Sequence, residues 1–382
     1  MELTYRTKSV LTVKMSLLRC RFFMLPVVLC ISGACAAQEN DCDPGVYFGK
    51  IGNVPVTISL DPAPDKTSEM GRSGSLYYRT SMVDMVLKQE SAQMVWTEFD
   101  DNNKPSGRIT LACQDKQLTG EWLSLDGRKR FPVAVKLSPD RAYHARRFSA
   151  LKPIKAQTVP NSRSETFTVV GPKIQGSEAT VIQGIQLFGT ELGVAKVNRM
   201  LWANLLANTT TLLDCSLSFR QRFGEYSPAL GFEQSLMHIA GPFVVVRSHI
   251  GFECGDGMGS SDGKETYRLT DGRKESSRQW FKPKLGALVK QEWESTLLAK
   301  LILKAGRAQL HKDDAECFEA AEYGLDDVYP KQEGFVFQGN LPEAFKFCRG
   351  TMDVYLPYAS VAPFLSEEGK RAVQAIQKMP KQ

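Results

Sequence analysis

Long apolar runs, paired histidines and a strong charge of either sign are all scarce in this chain of 382 residues. No stretch approaches the roughly 20 apolar residues that a membrane-spanning helix needs, so no transmembrane span is expected in the mature protein. The four histidines (His144, His238, His249, His311) lie far apart, without H-x-x-x-H spacing, and the nine cysteines include no C-x-x-C. Zinc sites and redox pairs of the usual spacing are therefore absent, and no metal or other cofactor is expected. The formal net charge is +6. Residues 1–37 hold five basic groups (Arg6, Lys8, Lys14, Arg19, Arg21) and one acid (Glu2), which leaves only about +2 for the rest. That is too little for an electrostatic grip on phosphates, and nucleic acid is not an expected partner. An apolar fraction of 42% with 24% charged residues excludes a disordered chain.

What the N-terminus does contain is an address. Arg19 and Arg21 precede the ten-residue run Phe22–Ile31, and Ala34 and Ala36 follow as an A-x-A cleavage pattern. This is the layout of a secretory signal peptide, with Met15 an alternative start. The other reading is a lipoprotein signal with Cys35 acylated, although Ser32-Gly33-Ala34 lacks the large aliphatic residue usual before such a cysteine. The expected location is the periplasm. Six cysteines then remain, an even number suited to an oxidising compartment. They fall into three neighbouring pairs along the chain, and the expected bridges are Cys42–Cys113, Cys215–Cys254 and Cys317–Cys348.

Residues 38–137 show eight short segments of alternating polarity: Val46–Lys50, Val54–Leu60, Ser75–Arg79, Val83–Lys88, Met94–Phe99, Gly107–Ala112, Gln117–Trp122 and Arg130–Val135. Turn residues such as Asp126-Gly127 separate them, which predicts an all-β barrel or sandwich. Tyr47, Tyr77, Trp96 and Trp122 either fill its core or line a cavity. Residues 138–164 hold a basic run, Pro153 and Pro160 with neither period, and read as a linker. Ser149-Ala150-Leu151-Lys152 matches S-x-x-K but lacks its partner motifs and is discarded.

From residue 165 to 382 strands and helices are mixed. Val194, Val197, Leu201, Leu205 and Leu212 fall at helical spacing in Glu191–Cys215, and Leu285–Lys304 predicts a second long helix. Leu217–Phe223, Leu230–Ile239 and Phe243–Glu253 read as strands, and Lys264–Thr270 with Arg273–Ser277 as a hairpin around Asp271-Gly272. Asp313 and Glu316 have capping-box spacing, with Gly324 ending a short helix, and a last helix starts at Ser366. The expected class is an α+β domain with an antiparallel sheet and packed helices. Gly255–Lys264 fails both the P-loop and the calcium-loop pattern: Met258 stands where the one needs its first Gly and the other an oxygen ligand, and Glu265 replaces the P-loop Ser/Thr. It reads as a hairpin-end loop, or as a binding loop whose glycines admit a partner to the backbone. Asp313-Asp314-Glu316 and Asp326-Asp327 read as solvated or capping acids, and no catalytic residue is assigned.

Three blocks carry a family resemblance. They are Val197-Asn198 at a helix start, Ile250-Gly251-Phe252-Glu253-Cys254-Gly255 with the hairpin that follows, and Val354–Leu365 with Ser366-Glu367-Glu368-Gly369-Lys370. Over residues 165–378 the chain resembles the extracellular domain of RsiV-like, lysozyme-sensing anti-sigma factors, preceded here by a small β domain. Many members continue the Cys-Gly with Gly-Ala-His-Pro, whereas this chain has Asp256-Gly257-Met258-Gly259, so any role of that His is missing. The resemblance implies a non-catalytic envelope protein that recognises lysozyme or a cell-wall glycan. The contact residues expected on that basis are Gly255, Asp256, Gly257, Gly259, Tyr355 and Tyr358. Two alternatives stand beside it: a hydrolase or esterase acting on cell-wall peptidoglycan with a site between the domains, and a structural envelope assembly factor.

Overall fold

Short strands of period two that each turn back on the last leave two exposed edges unless the first pairs with the eighth. That closure is what the computed structural model shows. It describes residues 42–62, 72–78, 84–90, 94–100, 102–139, 143–148, 152–158, 164–170, 181–223, 230–254, 257–288, 290–309, 314–342, 345, 348 and 352–379. Strands β1 (Gly45–Ile51), β2 (Val54–Leu60), β3 (Ser73–Tyr78), β4 (Met85–Gln89), β5 (Val95–Phe99), β6 (Pro105–Gln114), β7 (Gln117–Ser124) and β8 (Arg130–Leu137) form a closed antiparallel barrel. Ile51 of β1 sits opposite Val133 of β8 and closes the ring. Alternate residues fill the interior, among them Tyr47, Ile58, Leu76, Trp96, Ile109 and Val135. Each fully buried large side chain stabilises by about 1.5–3 kcal/mol. Tyr47 and Trp96 are thus core, while Tyr77, one residue out of phase with Leu76, faces outward. Cys42–Cys113 ties the approach to β1 to the end of β6, with the Cα atoms 5.4 Å apart.

The basic stretch expected to be a linker is partly structured. It contains the helical turn α1 (Ala145–Phe148) and strand β9 (Lys152–Thr158). The reason is a buried carboxylate that one of its charges satisfies. Arg147 forks onto Asp84, with Nη1 at 3.0 Å from Oδ2 and Nη2 at 2.6 Å from Oδ1, and both residues are almost wholly buried. Burial works against the guanidinium charge, but the Asp84 carboxylate outweighs it and holds the Arg147 pKa up. Tyr143 donates to Asp84 (2.9 Å), the Tyr77 hydroxyl donates to the Tyr143 carbonyl (2.7 Å), and Arg147 lies 4.0 Å over the Tyr77 ring. Arg147 also reaches His144 Nδ1 (3.2 Å). An arginine can only donate, so Nδ1 accepts and Nε2 carries the proton given to Asp214 at 2.8 Å.

Asp214 belongs to the long helix α2 (Val194–Phe223), which follows β10 (Ser164–Val170) and β11 (Val181–Leu187). The predicted face of α2 is buried at Val194, Val197, Leu201, Leu205 and Leu212. The helix runs on through Leu217–Phe223, where alternating polarity suggests a strand; no Gly or Pro stops it. It crosses to β12 (Leu230–Ala240), which pairs parallel with β11. With β13 (Phe243–Cys254), β14 (Gly257–Arg268) and β15 (Arg273–Glu275) this makes a seven-stranded sheet in the order β15-β14-β13-β12-β11-β10-β9, antiparallel elsewhere. Asn198 locks helix to sheet, accepting from Leu187 N (2.9 Å) and donating to its carbonyl (3.0 Å).

The rest of the chain packs around a three-stranded antiparallel sheet. The expected second long helix is broken into α3 (Pro283–Gly286), α4 (Lys290–Ser295) and α5 (Leu297–Gln309), followed by α6 (Ala315–Ala320). Gly324 ends no helix: α6 stops at Ala320, and Gly324 lies in β16 (Glu322–Pro330). Strands β17 (Gly334–Asn340) and β18 (Val354–Pro357) complete the sheet, then come α7 (Tyr358–Val361) and α8 (Glu367–Gln377). Ser366 caps α8 as expected, accepting from Gly369 N at 3.1 Å. Gly369 must be glycine, because a Cβ there would stand 2.0 Å from the Trp280 carbonyl oxygen. Cys317–Cys348 joins α6 to the chain after β17, and Cys215 is disulfide-bonded too; the Cys254 side chain lies outside the described residues.

The barrel therefore rests on a buried ion pair, and losing one partner leaves the other charged and unpaired. Asp84→Asn or Arg147→Met is expected to cost about 3–5 kcal/mol in urea unfolding. The double change Asp84→Leu/Arg147→Met should cost less than either single one.

Candidate functional site

The glycine-rich segment expected as a loop is mostly strand. Gly257–Gly263 pairs residue by residue with β13, from Cys254↔Gly257 to Ser248↔Gly263. Gly257 and Gly259 therefore sit in a ladder, and Gly255 and Asp256 lie outside the described residues. Tyr355 is half-buried on β18, where Gln309 holds its backbone at both the amide (3.0 Å) and the carbonyl (2.7 Å). Tyr358 is 4% exposed, packs edge-on to Phe335 and donates to the Lys331 carbonyl at 2.5 Å. Its ring and hydroxyl are both engaged inside the core.

The two regions meet through Lys264. Its ammonium, 6% exposed, lies 3.1 Å from Asp353 Oδ2 and 4.9 Å from the centre of the Tyr329 ring, and Tyr329 donates to the same carboxylate at 2.7 Å. Burial, then the hydrogen bond to Asp353, push the Tyr329 hydroxyl far above its ordinary range. His238 stacks on Tyr329 with ring centres 5.7 Å apart. Burial and the nearby Lys331 and Lys264 charges lower its pKa, which keeps the ring neutral. This cluster pins β14 to β16 and β18, and so the large sheet to the small one. His249, by contrast, shares Asp262 with Arg247 on the face of β13 and β14.

A cleft of about 540 Å³ opens beside the small sheet. Its floor is apolar: Leu285, Leu288, Trp293, Leu303 and Tyr323. Among the described residues, five carboxylates line it (Glu294 from α4, Glu319 from α6, and Glu322, Asp326 and Asp327 from β16) against one guanidinium, Arg278. Arg278 is bound to Asp326 at 2.7 Å, and Arg307 outside the cleft pairs with Glu319 at 3.0 Å. Asn340 donates to Asp327 at 2.6 Å. Apolar walls beneath a rim with five carboxylates and one guanidinium concentrate a net negative field, so the cleft favours a partner that is positively charged and partly apolar. Sequence reading singles out Asp326-Asp327 alone. The other acids come from separate elements, and only the packing of α4 and α6 against β16 assembles them.

A buried carboxylate lies at one end of the barrel. Glu98 accepts from Ser106 (2.7 Å), Tyr78 (3.0 Å) and Trp122 Nε1 (3.1 Å) and is 2% exposed. Burial raises its pKa, and the three donors oppose that only in part.

No family model matches the chain, and no curated protein matches it. Among solved structures, a member of the DUF3298 family from Bacteroides fragilis aligns over 60% of this chain and 98% of its own, at 14% identity and a TM-score of 0.35. A DUF3298 family protein from Pseudomonas aeruginosa PAO1 aligns over 57% and 94%, at 13% identity and 0.33. Similarity at this level leaves fold and site to be argued from the chain's own residues.

Glu98 gives a pH test. A carboxyl whose folded pKa is raised favours the fold when protonated, so its stabilising form is complete below the unfolded value near 4.5. That form is lost as pH rises through the folded pKa. Glu98→Gln, whose carbonyl still accepts from Tyr78 and Trp122, is expected to stabilise at pH 7 and to match the parent near pH 4. Thermal unfolding at both pH values measures this.

Proposed function

We propose that this is an exported, non-catalytic binding protein of the bacterial envelope, and that the acidic cleft between α4, α6 and β16 is its contact surface. The cleft carries the reading, with an apolar floor and a rim of five carboxylates among the described residues. The disulfides Cys42–Cys113 and Cys317–Cys348 support an oxidising compartment, and among the described residues no helix is long and apolar enough to cross a membrane. The signal-peptide pattern of residues 1–37 supports export, and the periplasm is the compartment we assign. The resemblance to lysozyme-sensing domains points to lysozyme as the partner, and a basic protein is the kind of partner that an acid-rimmed cleft attracts. A neutral glycan draws on the apolar floor alone and is the weaker fit.

Calorimetric titration of oxidised residues 38–382 with c-type lysozyme, at low and at physiological salt, tests the reading. Saturable binding that survives the higher salt is expected, because rim charges alone are screened there. Glu294→Lys with Glu322→Lys should weaken it at least tenfold. Absence of heat at both salts would sink lysozyme as the partner. Equal affinity of the variant would remove the cleft.

A further inference from the structure

Hairpin tips are normally polar, because nothing covers them. Two neighbouring tips of this barrel carry exposed apolar side chains in or beside their turns. Val54 after the β1–β2 turn, Leu125 in the β7–β8 turn and Phe131 on β8 are 42%, 58% and 42% exposed. They are three of the seven large apolar side chains exposed among the described residues. The tips adjoin through the bond from Gly52 N to the Pro132 carbonyl (2.8 Å). Phe131 is in phase with the inward-facing Val133 and Val135 and lies at the mouth of the barrel, where it stacks on Trp122 with ring centres 5.7 Å apart, and Trp122 is anchored to Glu98. Gly52, at φ +59, lies so close that a Cβ there would come within 3.1 Å of the Phe131 ring. Lys50, Arg128, Lys129 and Arg130 flank the apolar residues and are exposed. Arg128 and Arg130 pair with solvent-exposed acids, Asp126 at 3.7 Å and Glu121 at 3.4 Å. Such pairs hold their members weakly.

We propose that this end of the barrel docks on an anionic phospholipid bilayer. Exposed apolar area and flanking positive charge together argue for a bilayer. The apolar side chains suit entry into the headgroup–acyl boundary, and the basic side chains beside them suit the lipid phosphates. Docking here uses the barrel and leaves the acidic cleft to its own partner.

Co-sedimentation of oxidised residues 38–382 with vesicles at 0.15 M salt tests this. One vesicle set contains phosphatidylglycerol and phosphatidylethanolamine, and the other phosphatidylcholine alone. Binding to the anionic set is expected, at least tenfold stronger than to the neutral set. Leu125→Glu with Phe131→Glu should reduce it at least tenfold, while circular dichroism reports an unchanged fold. Arg128→Glu with Lys129→Glu should abolish the preference for anionic lipid. No binding to anionic vesicles, equal binding to both sets, or full binding by the Leu125/Phe131 variant would each overturn the proposal. So would complete competition by soluble glycerophosphate, which carries the headgroup charge without a bilayer.

Discussion

The pair Asp84–Arg147 is the interaction on which the arrangement of the chain depends. Two charges taken out of water cost several kcal/mol each, and that cost is recovered only with good geometry and full hydrogen bonding. Here the fork is bidentate, Tyr143 supplies a further donor to the carboxylate, and the Tyr77 ring faces the guanidinium, while the buried Arg147 Nε goes without a hydrogen-bond partner among the described residues. The pair does not stand alone. Arg147 sets the tautomer of His144, and His144 directs its proton towards Asp214 on α2. One chain of polar contacts thus runs from the outer face of the barrel, through α1, to the helix that backs the seven-stranded sheet.

The same device recurs between the two sheets. Lys264, Asp353 and Tyr329 form a half-enclosed polar knot, beside the apolar cluster of Val245, Val336 and Met237 that Tyr329 also joins. It fixes β14 against β16 and β18 and thereby holds the strand that supplies Glu322, Asp326 and Asp327 to the cleft. The block Val354–Leu365 serves the same end. Val354, Leu356, Tyr358, Val361 and Leu365 are all buried, so the most recognisable stretch of the sequence reports packing. The surface with the clearest chemical preference, the acidic cleft, lies elsewhere.

How much is legible in the sequence follows from the range of the forces involved. All eight barrel strands are readable, because alternation and turn residues are local and each strand pairs with its neighbour. The buried face of α2 is readable for the same reason, at the other period. The end of α2 is not, because Leu217, Phe219 and their polar neighbours alternate over too short a window to override a helix already under way. Strand β9 is hidden by Pro153, and the turn α1 by a basic run whose Arg147 finds its partner, Asp84, 63 positions away. The strand character of Gly257–Gly263 is hidden by glycine itself, which has no side chain to show a period; its pairing comes from β13. The cleft is invisible for a related reason. Its acids are spread over three elements, and no spacing rule links Glu294 to Glu322.

Joined by polar contacts at Asp84, Arg147 and His144, the barrel and the α+β domain are predicted to unfold together as a single cooperative body. Differential scanning calorimetry of oxidised residues 38–382 tests this most directly. One transition is predicted, with calorimetric and van't Hoff enthalpies that agree, the mark of all-or-none unfolding. Two resolved transitions, or a calorimetric enthalpy about twice the van't Hoff value, would show that the barrel melts independently and would contradict it.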